Sequence, residues 1–281
     1  MASVREPAVA GQFYPATAPA LKREIESCYT SPLGPGERPK AAEQPLDHPR
    51  LVVAPHAGYV YSGPIAAWAY SELATRGRPE VAVILGPNHR GITRQDTIET
   101  EGAWRTPLGD APMHTEVARA IQRECPSLKD DRAGGRMEHS LEVQVPFLQD
   151  LYGAEIPIVP IMISSSGTDA LASVAGAVAS VLPEAGLIVA STDMTHFESA
   201  AQAEQRDAPA LRALEAMDPE GLAEAVRSEG ISMCGWAPTV AGLMASRELG
   251  LRQCEVLRYG HSGQVSGDDS SVVAYAAALA E

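Results

Sequence analysis

Three histidines follow apolar runs in this chain: His56 in LVVAPHAG (51–58), His89 in VAVILGPNH (81–89) and His196 in GLIVASTDMTH (186–196). A neutral imidazole is the commonest protein metal ligand and also a general acid or base near neutral pH. Each histidine alone has a structural reading: His56 as a turn residue between Pro55 and Gly58, His89 as a cap, and His196 as a hydrogen-bond partner of Asp193. Their shared place after buried strands argues for a constellation, because ligands in open α/β sheets bind outside the carboxyl ends of the strands. Two imidazoles plus one anion make a usual catalytic metal set. The candidates for the anion are Glu138, Asp193 and Cys234. Cys234, in SMCGWAP, stands directly before a predicted helix, where the dipole favours thiolate. By residue type alone it is also an ordinary small buried hydrophobe.

Further along, MEHSLEVQVPFLQ (137–149) reads as a helix that Ser140 could cap, with Glu142 in its first turn and Leu141, Val145 and Leu148 facing the core. The same stretch places Glu138 and His139 where a pocket could use them. His261 lies in the glycine-rich YGHSGQVSGDDSS (259–271), which fits either a connector or an active-site lid. His48 and His114 carry no supporting pattern, and Cys28, Cys125 and Cys254 have no candidate site residue near them in sequence.

Four near-continuous apolar runs, 51–58, 81–89, 156–163 and 186–196, predict strands covered on both faces. Residues 270–279 fit a strand or a short helix. Helical patterns occupy 64–76, 115–125, 141–152, 170–182 and 235–249, and 200–230 reads as two helices split near Asp218-Pro219. Alternating strands and helices predict an α/β sandwich, with a central mostly parallel or mixed sheet covered by helices. The strand–helix rhythm resumes after the proline-rich 31–50 and the polar 126–136, so residues 1–281 read as one domain.

The 281 residues include 45% hydrophobic and 21% charged side chains, an ordinary globular balance with room for a sizeable core. A net charge of −14 without a basic stripe argues against a nucleic-acid partner. No apolar run reaches the ~20 residues a bilayer needs, and the first residues lack the apolar centre of a signal peptide. Four scattered cysteines form no CxxC pair. A cytoplasmic protein without disulfides is expected, with neither membrane nor nucleic acid as partner.

The motifs REPAVAGQFYP, PHAGYVYSG, GPNH, EHSLEVQVPFLQ, STDMTHF and CGWAP occur in that order over nearly the whole chain. With them the chain resembles the Memo-like family, whose prokaryotic members are called AmmeMemoRadiSam system protein B. The resemblance implies a fold similar to the catalytic subunits of class III extradiol ring-cleaving dioxygenases, which hold non-haem Fe(II) with two histidines and a glutamate. Carried over, His56 and His89 match the histidine ligands, Cys234 stands where those enzymes have glutamate, and His196 with Asp193 matches the acid–base position. The thiolate, softer than a carboxylate, makes copper or zinc alternatives to the favoured Fe(II). The resemblance further implies a metal-dependent, dioxygenase-like oxidoreductase. In that picture Asp193 orients His196, and Tyr59 or Tyr61 lines the pocket. The alternative is a module that binds a peptide or small ligand without turnover, since Memo-like relatives are associated with phosphotyrosine peptides as well as with redox chemistry. A radical SAM protein is the partner implied by the family name.

Overall fold

The computed structural model describes residues 3–281. In chain order, strand β1 (Val4–Arg5) leads to helix α1 (Ala18–Thr30), strand β2 (Arg50–Ala54), helix α2 (Tyr59–Arg76) and strand β3 (Val81–Pro87). Short strands β4 (Thr97–Ile98), β5 (Ala103–Thr106) and β6 (Gly109–Pro112) precede α3 (Thr115–Glu124) and β7 (Lys129–Asp130). A 3-10 turn (Glu142–Gln144) runs into α4 (Val145–Tyr152), followed by β8 (Ile158–Ile163), α5 (Thr168–Val181) and β9 (Gly186–Ser191). Next come β10 (His196–Glu198), α6 (Ala200–Glu215), α7 (Pro219–Ser228) and α8 (Trp236–Glu248). Strand β11 (Cys254–His261), the single-turn α9 (Gly263–Ser266) and β12 (Val272–Ala280) complete the order.

The fold is an α/β sandwich around a mixed sheet of order β10-β12-β2-β9-β3-β8-β4-β7, with β11 on the outer side of β12. Strands β2, β9, β3 and β8 are mutually parallel, and β12 runs antiparallel to β2. A small sheet, β1-β5-β6, lies apart from the main one. The central strands are apolar at every position because both faces are covered. Leu51, Val53, Val83, Leu85, Ile188 and Ala190 face a core completed by α3, α5, α6, α7 and α8. Val52, Ala54, Ala82, Ile84, Leu187 and Val189 face a second core, completed by α1, α2 and α4.

Several boundaries differ from the sequence expectation. The strands are shorter than the apolar runs, and α2 starts at Tyr59 rather than residue 64, so PHAG is a tight strand-to-helix turn. His196 does not end the fourth predicted strand. That strand, β9, stops at Ser191, and His196 opens β10 after a turn. The ambiguous run at 270–279 resolves as strand β12, Val272–Ala280, since the alanine-rich segment pairs with β11 on one edge and β2 on the other. Helix α1 and strand β11 went unpredicted. Among the described residues, no helix is long and apolar enough to cross a membrane.

Candidate metal-binding cleft

The parallel strands β2, β3 and β9 end together, and the turns that follow carry His56, His89 and Asp193. Cys234 comes from the start of α8, which approaches the end of β9 closely. A side chain at Gly235 would put a Cβ 2.2 Å from the Ser191 carbonyl oxygen, so only glycine fits there. The His56, His89 and Cys234 ligand atoms lie within 4.8 Å of one another. His56 Nε2 and Cys234 Sγ are 3.1 Å apart.

A chain of buried partners sets the tautomer of His56. Gln144 Nε2 donates to the Pro55 carbonyl at 3.0 Å and to Ser191 Oγ at 2.7 Å, while its Oε1 accepts from Tyr70 Oη at 2.7 Å. The single Ser191 hydroxyl proton goes to the Ser140 carbonyl at 2.6 Å. Ser191 Oγ can therefore only accept from His56 Nδ1, 2.9 Å away. The imidazole carries its proton on Nδ1 and turns the Nε2 lone pair to the cleft. Burial, then the neighbouring His89 and His139, holds the His56 pKa well below the usual histidine range, so the ring stays neutral.

Glu138 does the same for His89. Its Oε1 accepts from His89 Nδ1 at 2.9 Å and its Oε2 from the His89 backbone N–H at 2.7 Å. The Ser140 and His139 N–H groups add bonds of 2.9 and 3.0 Å. Burial alone would raise this carboxyl, but the hydrogen bond from His89, with the Ser140 N–H and the nearby His139, holds it at about 2. Glu138 is thus an ionised partner behind a ligand rather than the third ligand. Ser140, expected to cap a helix, instead donates its hydroxyl to the Pro87 carbonyl at 3.0 Å. Gly86 lets Ser140 in: a Cβ there would lie 2.8 Å from Ser140 Oγ and from Leu141 Cγ. Asn88 shapes the following loop, donating to the Thr93 carbonyl and Ser164 Oγ and accepting from Gly91 N–H.

Asp193 was expected to orient His196. It faces His56 instead, accepting the His56 backbone N–H on Oδ1 at 2.7 Å, and its own N–H donates to Cys234 Sγ at 3.3 Å. Burial, partly offset by the His56 N–H and by His196, lifts its carboxyl to about 6. His196 is held by Ser232. The Ser232 hydroxyl oxygen accepts the His196 backbone N–H at 2.7 Å, and its carbonyl accepts from Nδ1 at 3.0 Å. A carbonyl can only accept, so the proton sits on Nδ1 and Nε2 is left as the base. Asp193, His196 and Cys234 still form one close group.

His139 is the fourth imidazole here. Its ring stacks on His89 with centroids 4.8 Å apart, meets the edge of His56 at 5.6 Å, and contacts Phe13 at 4.5 Å. Tyr61 is exposed, whereas Tyr59 is buried and donates to the Val143 carbonyl at 2.6 Å, so it packs in the core instead of lining the pocket. His261 is not brought to the group, because it sits on β11 with β12 between it and His196. The glycine-rich segment is a folded β11–α9–β12 connection, not a loose loop. Sequence reasoning missed Ser191, Gln144, Ser232 and Phe13. All four lie inside stretches quoted above, Ser191 at the start of STDMTHF and Ser232 at the start of SMCGWAP, but serine, glutamine and phenylalanine carry no signal by residue type as candidate ligands or bases.

The acid side of the stability profile follows from these histidines. Burial holds His139 at about 4, so the unfolded chain takes up a proton first as pH falls from its unfolded value of roughly 6.5. Stability present above that value is lost as pH drops through 4, and His56 acts in the same direction. Asp193 acts oppositely, its contribution being lost as pH rises through 6. The Tm is therefore expected to fall between pH 7 and 4.5, and His139→Gln is expected to flatten the fall. A Tm that is level or higher at pH 4.5 would contradict the buried neutral histidines.

The donors suit a metal. A tetrahedral zinc with Zn–N of ~2.0 Å and Zn–S of ~2.3 Å holds its ligand atoms about 3.5 Å apart. Two proton-free imidazole nitrogens and a thiol within 4.8 Å need only small inward movements to reach that spacing. An α/β sandwich with such donors at the carboxyl ends of its parallel strands defines a protein built around a candidate metal-binding cleft.

The Memo-like protein family model matches residues 5–279, and the chain belongs to that family. It is 44% identical over 276 residues to a MEMO1 family protein of Methanopyrus kandleri, covering 97% of each chain. It is 42% identical to a MEMO1 family protein of Methanothermobacter thermautotrophicus, covering 97% of this chain and 99% of the relative. The crystal structure of an uncharacterized protein from Escherichia coli K12 shares the fold, with a TM-score of 0.52 at 17% identity over 81% of this chain and 98% of that one.

Proposed function

We propose that His56, His89 and Cys234 hold a metal ion, and that the cleft serves metal-dependent redox chemistry of the dioxygenase type. The observation that supports this best is the pair of hydrogen-bond systems, Ser191 with Gln144 and Glu138 alone, that leave both imidazoles with a free Nε2 beside the thiol. Fe(II) is the favoured occupant, with copper or zinc suited by the thiolate, and it would bring O₂ and a diol or phenolic substrate together. His196 Nε2 takes a substrate hydroxyl proton. Both atoms of O₂ enter the product of such a reaction, so no outside reductant is required.

A second reading keeps the cleft as a binding site for a peptide or small ligand without turnover. The thiol donor favours it, since thiolates oxidise readily beside activated O₂. Elemental analysis of protein from its own host, joined to O₂ uptake with a panel of catechols and Fe(II), separates the two. The proposed enzyme retains about one metal ion per chain and shows uptake that disappears in His196→Ala. A metal-free protein, or uptake indifferent to His196→Ala, refutes the enzymatic reading.

A further inference from the structure

Phe197 follows His196 directly, and two features set it apart. It is 78% exposed, the most of any large hydrophobic residue among those described. Its backbone has φ of +60°, a left-handed conformation that a bulky residue adopts only at a cost. The strain has a local source. His196 pairs with Val273 and Glu198 with Val272, so the register of β10 on β12 shifts at Phe197. Bulges of this kind re-aim a side chain beside functional sites. Both flanks are pinned, His196 by Ser232 and the start of α6 by the Ala200 N–H bond to the Asp269 carbonyl at 2.9 Å.

A strained, solvated phenylalanine contributes little to the free protein. Its ring stands 5.7 Å from the His196 imidazole at an interplanar angle of 61°, next to the group formed by Asp193, His196 and Cys234. Three of the six other large exposed apolar side chains among the described residues belong to segments that carry the site: Ile92 follows His89 in its loop, Met137 precedes Glu138, and Tyr61 lies in the first turn of α2 after His56. Exposed apolar surface of this sort marks binding sites. We infer that Phe197 is a ligand-contact residue whose ring forms a platform for the flat ring of a molecule bound in the cleft. This rests on reading the cleft as a metal-bound ligand site.

The test uses the full chain loaded with zinc, with 4-nitrocatechol as the probe and its absorbance shift as the signal. Zinc content is measured first in each protein. Phe197→Ala is expected to retain zinc and bind the probe about three- to tenfold more weakly, the range of one aromatic contact. Phe197→Asn, whose side chain tolerates the left-handed region, is expected to match or raise the parent Tm while also losing affinity. Equal probe affinity in parent and variants, or no probe binding by a zinc-loaded parent, overturns the platform and leaves the metal centre standing. A Tm lowered by more than about 3 °C in Phe197→Asn would make Phe197 a structural residue and also overturn it. A parent that takes up no zinc overturns the centre and the platform together.

Discussion

Replacing Glu142 with alanine is expected to reduce the unfolding free energy by about 3–5 kcal/mol, because it strands a buried guanidinium without its counter-ion. Glu142 Oε2 pairs with Arg5 Nη1 at 2.6 Å, and both side chains are buried. The same carboxylate accepts the Ala8 and Val9 N–H groups at 2.8 and 3.0 Å and the Tyr14 hydroxyl at 2.7 Å. A first-turn glutamate interacting with a helix dipole is worth only about 0.3–1 kcal/mol. The buried pair and the three further donors therefore dominate. They also tie the segment REPAVAGQFYP across the cleft, which seats Phe13 on His139. Urea unfolding measures the loss, and limited proteolysis of the first fifteen or so residues reports release of the strap. Glu142→Gln keeps an acceptor for the backbone donors and is expected to lose less than Glu142→Ala. A loss below about 1 kcal/mol for Glu142→Ala would show that Arg5 finds other partners, such as the Gly135 and Glu138 carbonyls it already contacts.

Zinc affinity is expected to rise about tenfold per pH unit between pH 7 and 9, the signature of one proton released on binding. Burial first and the Asp193 carboxylate second push the Cys234 thiol above the range of a free cysteine, so it must shed its proton to become a ligand. His56 carries no competing proton there. Cys234→Ala is expected to lose affinity by more than a hundredfold and to flatten the slope. Glu138→Gln is expected to cost about 10- to 100-fold, since partners behind a ligand fix its tautomer and basicity. Competition with a chelator of known affinity at each pH provides the readout. A slope that survives in Cys234→Ala would assign the released proton to another group and remove the thiol from the ligand set.

Much of the architecture was readable from single residues in order. A strand covered on both faces needs apolar side chains on both, and the four runs beginning near residues 51, 81, 156 and 186 have that composition and became β2, β3, β8 and β9. The split at Asp218-Pro219 was also readable, because Asp218 caps α7 by accepting the Gly221 N–H and Pro219 needs no donor in a first turn. Strand β11 was not, since its side chains are mostly half-buried along the outer edge and show no clean alternation. Helix α1 carries Leu21, Ile25, Cys28 and Tyr29 on its buried face, a helical spacing that the adjoining proline-rich stretch obscured.

Residue order by itself determined which side chains could do chemistry and near which element ends they would stand, because a covered strand shows in composition and a loop residue follows its strand. Only the tertiary structure decided how those side chains are wired. That His56 offers Nε2 depends on Ser191, Gln144 and Tyr70, drawn from three separate elements. That Ser232 rather than Asp193 orients His196 depends on how the segment before α8 passes β10. Hydrogen bonds across such distances leave no periodic trace in the chain. They are set by which loops the packed sheet and helices bring together.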